Sequence, residues 1–176
     1  IKGEGANCQG AVYTKDNVQI NSGGVTTFSN YTVVSENRCV LIPKTIPLDV
    51  ATLLGCAIPT GAGIVMNTVR PCQESSLAII GAGGIGLSAI MAAKIYDCSI
   101  IIAVDVEESK LQKAKELGAT HLVNASEENP VEKIKAITDG KGVDYAIEAT
   151  GKAKVIEQAF QSVRDNGGLC VFAGHP

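Results

Sequence analysis

The sequence predicts an α/β chain built on a parallel β-sheet, preceded by a smaller β-rich piece. Three observations lead there. From about residue 71 onward, apolar runs of strand length alternate with segments of helical period. Three of those runs are almost wholly apolar, as strands covered on both faces must be. Residues 1–70 follow a different grammar of short runs and turns. The composition agrees, since 176 residues with 45% apolar, 19% charged and 4% aromatic side chains are enough to bury one core. A net charge of -3 with no run of five like charges gives no electrostatic reason to expect nucleic acid or an anionic membrane as partner. The longest apolar stretch, Ile79 to Met91, is 13 residues and too short to span a bilayer.

Taken in order, Ala11-Val12-Tyr13, Val18-Gln19-Ile20 and Tyr31-Thr32-Val33-Val34 read as short strands, with a turn at Asn21-Ser22-Gly23-Gly24. Leu48 to about Leu54 then turns helical. This piece is too small and too polar to hold a core of its own, so the expectation is that it belongs to a larger domain. The strands of the second part are Leu77–Ile80, Ile100–Val104, His121–Val123, Val143–Ile147 and Leu169–Ala173. The helix from Ile85 to about Tyr96 is apolar nearly all round, which predicts burial between the sheet and other protein. Leu111, Ala114 and Leu117 form a stripe ending at Gly118, a suitable C-terminal cap. Val131, Ile134 and Ile137 repeat the pattern after Pro130, which suits a first helical turn. Ile156, Ala159, Phe160 and Val163 make the last helix. Strand, helix, strand repeated this way means right-handed crossovers and helices on both faces of the sheet.

Neither end resembles a targeting segment. The chain opens with Ile1, followed by residues that lack both the basic and the apolar part of a signal peptide, and closes on Ala173-Gly174-His175-Pro176 directly after an apolar run; both ends read as cut. The six cysteines, Cys8, Cys39, Cys56, Cys72, Cys98 and Cys170, form no CxxC pair. A cytoplasmic, reduced compartment is expected, with most of these thiols acting as small buried hydrophobes.

The strongest single feature is Gly81-Ala82-Gly83-Gly84-Ile85-Gly86. A glycine turn of this kind also occurs in sheets that bind no nucleotide, but here a strand ends at Ile80, a helix begins by Ile85, and Asp105 stands 19 residues beyond Gly86 at the end of the second strand. In that setting Gly81 permits the tight turn, Gly83 lets backbone approach a pyrophosphate, and Gly86 allows close packing of helix on strand. The free N–H groups of the first helical turn face the phosphates. Asp105 accepts from ribose hydroxyls and repels a 2′-phosphate, which favours NAD over NADP. His121, Asp144 and Glu148 are read as an ordinary strand-edge histidine and two solvated carboxylates at strand ends. No Ser-His-Asp or paired-carboxylate hydrolytic arrangement can be argued.

A second constellation is Leu53-Leu54-Gly55-Cys56-Ala57-Ile58-Pro59-Thr60-Gly61-Ala62-Gly63, with Thr27-Phe28-Ser29-Asn30-Tyr31 upstream and the glycine loop downstream. Together they resemble the zinc-dependent alcohol dehydrogenases of the medium-chain dehydrogenase/reductase family, over essentially the whole chain. The resemblance implies a Rossmann doubly wound parallel sheet, with five of its six strands present, after a partial GroES-like catalytic-domain segment. Residues 1–57 would be that partial substrate and zinc domain with its connecting helix, and 58–176 the NAD-binding domain, truncated at its C-terminal end. In the family the cysteine of G-C-x-x-x-T-G ligates the catalytic zinc, so Cys56 takes that role by resemblance, Thr60 lies against the nicotinamide, and Ile85 packs behind it. Lys110 matches the lysine that helps hold the adenosine ribose, and Ala173, Gly174 and His175 match the strand end whose backbone meets the cofactor carboxamide. Cys8 resembles a ligand of the structural zinc. Read without the family, Cys8 and Cys56 are unremarkable buried thiols.

The Gly61-Ala62-Gly63 variant resembles the aryl or benzyl alcohol branch of the family. What this implies for the parent enzyme is reversible hydride transfer between a primary alcohol, aromatic ones included, and NAD, in a homodimer or homotetramer. A catalytic zinc needs three protein ligands, and by resemblance this chain carries one, so alone it is expected to hold the cofactor without completing the chemistry. Two alternatives stay open: a polyol or glutathione-adduct dehydrogenase of the same family, and a non-catalytic NAD-sensing module.

Overall fold

A computed structural model describes residues 13–20, 30–31, 34 and 36–174. By contacts the chain divides into two units, 1–47 and 48–176. Residues 48–57, assigned above to the N-terminal piece, thus group with the second unit.

In the first unit, strands β1 (Tyr13–Lys15) and β2 (Val18–Ile20) pair antiparallel, with Tyr13 opposite Ile20. Asp16 and Asn17 turn the hairpin at φ 52° and 61°, the left-handed pair that a two-residue hairpin needs. Of the strand predicted at 11–13 only Tyr13 is among the described residues, where it opens β1, and the Asp16-Asn17 turn is one the sequence reading did not name. Ala11, Val12, Thr32, Val33 and the turn predicted at 21–24 lie outside the described residues. Tyr31 and Val34 are not in a strand, and a 3₁₀ turn covers Glu36–Arg38.

The second unit opens with α1 (Leu48–Leu53) and α2 (Ala57–Gly63), the latter running into a π-helical turn over Ile64–Val69. The sheet strands are β3 (Ser76–Ile80), β4 (Ile100–Asp105), β5 (His121–Asn124), β6 (Tyr145–Glu148) and β7 (Leu169–Phe172). They are parallel in the order β5-β4-β3-β6-β7. The helices α3 (Gly84–Ile95), α4 (Glu108–Leu117), α5 (Pro130–Ile137) and α6 (Ala153–Ser162) alternate with them.

Because side chains alternate along a strand, β3 feeds two cores. Leu77 and Ile79 pack with Ile101 and Ala103 against Ala89, Ile90 and Ala93 of α3 and Leu111 of α4. Ala78 and Ile80 pack with Ile102 and Val104 against Ile134 of α5 and Ala159 of α6. The sheet is thus doubly wound, as predicted. The protein that covers the outer side of α3 is α2 and the π turn, through Val65 and Val69, an element that the sequence reading missed. Helix ends carry the expected punctuation: Gly118 closes α4 at φ 126°, and the Asn129 side chain accepts from Val131 N at 3.0 Å to start α5 behind Pro130. The predicted strand at 143–147 is shorter at its start, where Val143 makes a single bridge to Val163. Beside it the Asp144 carboxylate accepts from Ser76 N at 2.8 Å, the Ser76 hydroxyl at 2.7 Å and Arg164 Nε at 2.7 Å.

Candidate functional site

The strand order reverses at β3: the chain runs outward through β4 and β5, then returns to lay β6 on the other side of β3. At such a switch point the loops after the two central strands part and leave a crevice at their C-terminal ends. The loop after β3 is Gly81-Ala82-Gly83, and the loop after β6 starts at Ala149.

Each glycine of the loop has a different reason to be glycine. Gly81 lies at φ 102°, and a methyl there would meet Thr150 Cγ2 at 2.7 Å. On Gly86 a methyl would sit 1.8 Å from Gly81 O, so the first turn of α3 lies directly on the loop. Gly84 faces Ala57, where a methyl would lie 3.2 Å from its Cβ. Around Gly83 nothing comes within 4 Å. Two glycines are therefore packing necessities, while Gly83 leaves open space above a helix N-terminus whose first N–H groups have no intrahelical acceptor.

Asp105 at the end of β4 is placed by this loop. Its Oδ2 accepts from Ala82 N at 2.7 Å, and its Oδ1 from Val106 N at 2.8 Å and Glu107 N at 3.1 Å. The carboxylate is thus oriented before any ligand arrives. Lys110 stands one turn into α4 and pairs with Glu107 at 2.8 Å. The Glu107 hydrogen bond, with the charge of Asp105 behind it, holds the Lys110 amine above its ordinary range. A cleft of about 320 Å³ opens between these groups, lined by Gly81, Gly83, Asp105, Lys110, Thr150 and Lys152 among others. It offers an anion site of backbone N–H groups beside a fixed acceptor for hydroxyls.

Cys56 and Thr60 lie on α2, next to α3. Cys56 is exposed at the helix N-terminus, and its Sγ is 3.9 Å from Thr60 Oγ1. The two helices meet without a side chain between them, since a methyl on Gly61 would lie 2.0 Å from Ile85 O. Cys56 and Thr60 are thus held against the first turn that carries Gly84, Ile85 and Gly86. Cys8 and His175 lie outside the described residues. Among the described residues no three His, Cys, Asp or Glu side chains come together as a metal site. Ala173 donates its N–H to Glu148 O at 2.8 Å, and Gly174 lies so close to Gly151 that a methyl would be 1.9 Å from Gly151 N.

Two sequence readings are corrected. Of the described cysteines, Cys98 is buried and Cys170 half-buried, while Cys39, Cys56 and Cys72 are exposed. Glu148, read as solvated, is 0% exposed. Its Oε1 accepts from Thr150 N at 2.6 Å, Thr150 Oγ1 at 2.5 Å and Gly151 N at 2.9 Å. The signal that could have found it is the Thr-Gly pair two residues after an acidic strand end, a turn in want of an acceptor.

Comparison with known proteins agrees with this architecture. The zinc-binding dehydrogenase family model matches residues 84–176. The chain is 38% identical over 154 residues to an alcohol dehydrogenase of Malus domestica, covering 87% of this chain and 40% of that protein. It is 39% identical over 154 residues to alcohol dehydrogenase 1 of Cenchrus americanus, with 87% and 41% covered. Among solved structures it resembles benzyl alcohol dehydrogenase from Acinetobacter calcoaceticus at 41% identity and TM-score 0.79, over 87% of this chain and 42% of that one. An alcohol dehydrogenase zinc-binding domain protein from Burkholderia ambifaria matches at 43% identity and TM-score 0.78, with 86% and 40% covered. The chain therefore spans less than half the length of these relatives. With the family model on more than half its residues and this fold beneath them, the chain belongs to the zinc-binding dehydrogenase family.

Proposed function

We propose that this chain is the nucleotide-binding part of an NAD-dependent alcohol dehydrogenase that passes hydride between a primary alcohol, aromatic ones included, and NAD. One observation carries the reading: the open Gly83 position over the α3 N-terminus, with Asp105 fixed beside it in the cleft. In it the first-turn N–H groups of α3 bind the pyrophosphate, Asp105 and Lys110 hold the adenosine ribose, Thr60 and Ile85 border the nicotinamide, and Ala173, Gly174 and His175 meet its carboxamide. Asp105 carries the preference for NAD, because a 2′-phosphate would bring negative charge onto its carboxylate. When bound, the nicotinamide supplies the hydride acceptor; the protein's own residues bind and orient it.

For zinc, Cys56 is offered as one ligand of a catalytic site and Cys8 as one of a structural site. Among the described residues no ligand set is assembled around Cys56, so no step is derived through the metal. The functional boundary stays at 57/58 in this reading, with Cys56 belonging to the substrate side although 48–57 group with the second unit. The relatives named above for alcohol and benzyl alcohol support an alcohol or aldehyde substrate. A cytoplasmic location belongs to the same reading, on the ground that the cysteines of the sequence form no CxxC pair. No helix among the described residues is long and apolar enough to cross a membrane. Association of the parent into a homo-oligomer is supported by apolar side chains beside the outer strand β7, with Phe160 71% and Phe172 62% exposed.

The test is titration of the chain with NADH and NADPH, followed by cofactor fluorescence. Saturable NADH binding with weaker NADPH binding is expected, and Asp105→Asn should weaken NADH by about tenfold while narrowing the preference. No binding of either cofactor sinks the reading. Incubated with benzyl alcohol, NAD and zinc, the chain alone is expected to give no turnover; turnover abolished by Cys56→Ala would overturn that part.

A further inference from the structure

Among the described residues of the second unit, Glu148 is the one side chain that is fully buried and charged in type. Burying a carboxylate is costly unless its oxygens are hydrogen-bonded. Here only Oε1 is used, and it takes three donors, while Oε2 has no hydrogen-bond partner. A leucine would fill the same volume without that cost. It would also take from Thr150 N, the Thr150 hydroxyl and the buried Gly151 N the acceptor that they share.

The three donors belong to a single turn, and that turn borders the cleft on one side and Gly174 on the other. Ala149 and Thr150 line the cleft itself. Thr150 Cγ2 is the atom against which Gly81 of the glycine loop packs, and Gly151 N is the atom against which Gly174 packs after β7. The backbone of the strand end is pinned as well, by Ala149 N donating to Ile80 O at 2.9 Å and Ala173 N to Glu148 O at 2.8 Å. With the strand end fixed, the side chain decides where the turn sits.

We propose that Glu148 is a positioning residue of the nucleotide site: through Oε1 it holds the Thr150-Gly151 turn as a wedge between the glycine loop and Gly174, and so sets the width of the cleft. The proposal rests on the nucleotide-binding reading above. It reaches the ligand only through the turn, since Glu148 itself does not line the cleft. Its consequence is that hydrogen bonding at this position, rather than charge or volume, governs affinity. Glu148→Gln retains an acceptor oxygen for the same three donors, whereas Glu148→Leu retains volume and no acceptor.

The experiment measures NADH affinity and thermal stability on the full chain for Glu148→Gln, Glu148→Leu, Thr150→Val and a core control, Ile134→Val, which is buried away from the cleft lining. Glu148→Gln is expected within about threefold of wild type and Glu148→Leu about tenfold weaker or more. Ile134→Val is expected to lower the melting temperature with affinity unchanged. Retained affinity in folded Glu148→Leu overturns the proposal. So does a loss in Glu148→Gln equal to that in Glu148→Leu, which would make charge the cause. Should Glu148→Leu fail to fold, Thr150→Val, which removes one donor and keeps the shape, must weaken NADH by about threefold or more; unchanged affinity there is equally fatal. A wild-type chain that binds no NADH would instead bring down the nucleotide reading itself.

Discussion

Gly83 and Gly86 stand in the same motif, yet a single methyl separates their consequences. Gly83→Ala adds an atom to open space at φ -82°, so its melting temperature should match wild type while NADH binding falls by about tenfold or more, because the methyl occupies the approach to the phosphates. Gly86→Ala drives an atom onto Gly81 O and should cost about 1–3 kcal/mol of stability as an overpacked contact. Parallel calorimetry and NADH titration of the two variants separate the roles; equal loss of stability in both would contradict them. A second prediction concerns thiols. Burial, then the neighbouring charges of Cys72 and Asp97, push Cys98 up to about 11, so at pH 8 it should alkylate far more slowly than the exposed Cys56 and Cys72, as mass spectrometry of timed reactions would show. The glycines and Asp105 were legible because spacing and chemistry coincide at strand ends. Glu148 was not, because its meaning depends on which donors fold back to it, and periodicity does not carry that.

Among the elements, the parallel strands and the amphipathic helices α4, α5 and α6 followed from periodicity within a residue or two at most ends. Helix α2 did not, since Ala57–Gly63 carries Pro59, Gly61 and Gly63, residues of low helical propensity. Two physical facts make the helix possible. Pro59 falls in the first helical turn, where its missing N–H has no acceptor to lose, and Gly61 is demanded by the closeness of α3. Tertiary contact, not propensity, makes this helix. The ties between elements also titrate. Burial alone would raise the Asp144 pKa, but the Ser76 N–H and hydroxyl and the Arg164 guanidinium outweigh it and hold the carboxyl below its ordinary 3.8. A folded-state pKa below the unfolded one contributes stability above the unfolded value that is lost as pH falls through the folded one. Melting temperature should therefore decline below about pH 3.8 more steeply in wild type than in Asp144→Asn, whose curve starts lower; parallel curves would refute the linkage.

For the whole molecule, the cores of the second unit lie wholly within residues 48–176. A chain of 48–176 alone should unfold in one cooperative transition and bind NADH within about threefold of the full chain, measured by calorimetry and titration. Loss of binding would mean that residues 1–47 supply part of the site. The zinc chemistry that the resemblance suggested was legible only as ancestry, because a ligand set is a property of residues brought together and Cys56 has no such company among the described residues. The contact between α2 and α3 has a mechanical consequence. With Gly61 seated on Ile85 O and Ala57 facing Gly84, neither helix can slide along the other, and Cys56 is tied to α2 by Thr60 N donating to its carbonyl at 2.9 Å. The sulfur and the glycine loop therefore travel as one body. A thermal excursion that displaces the loop carries the thiol along, so the spacing between them works as a fixed gauge, steadier than the position of either against the rest of the molecule.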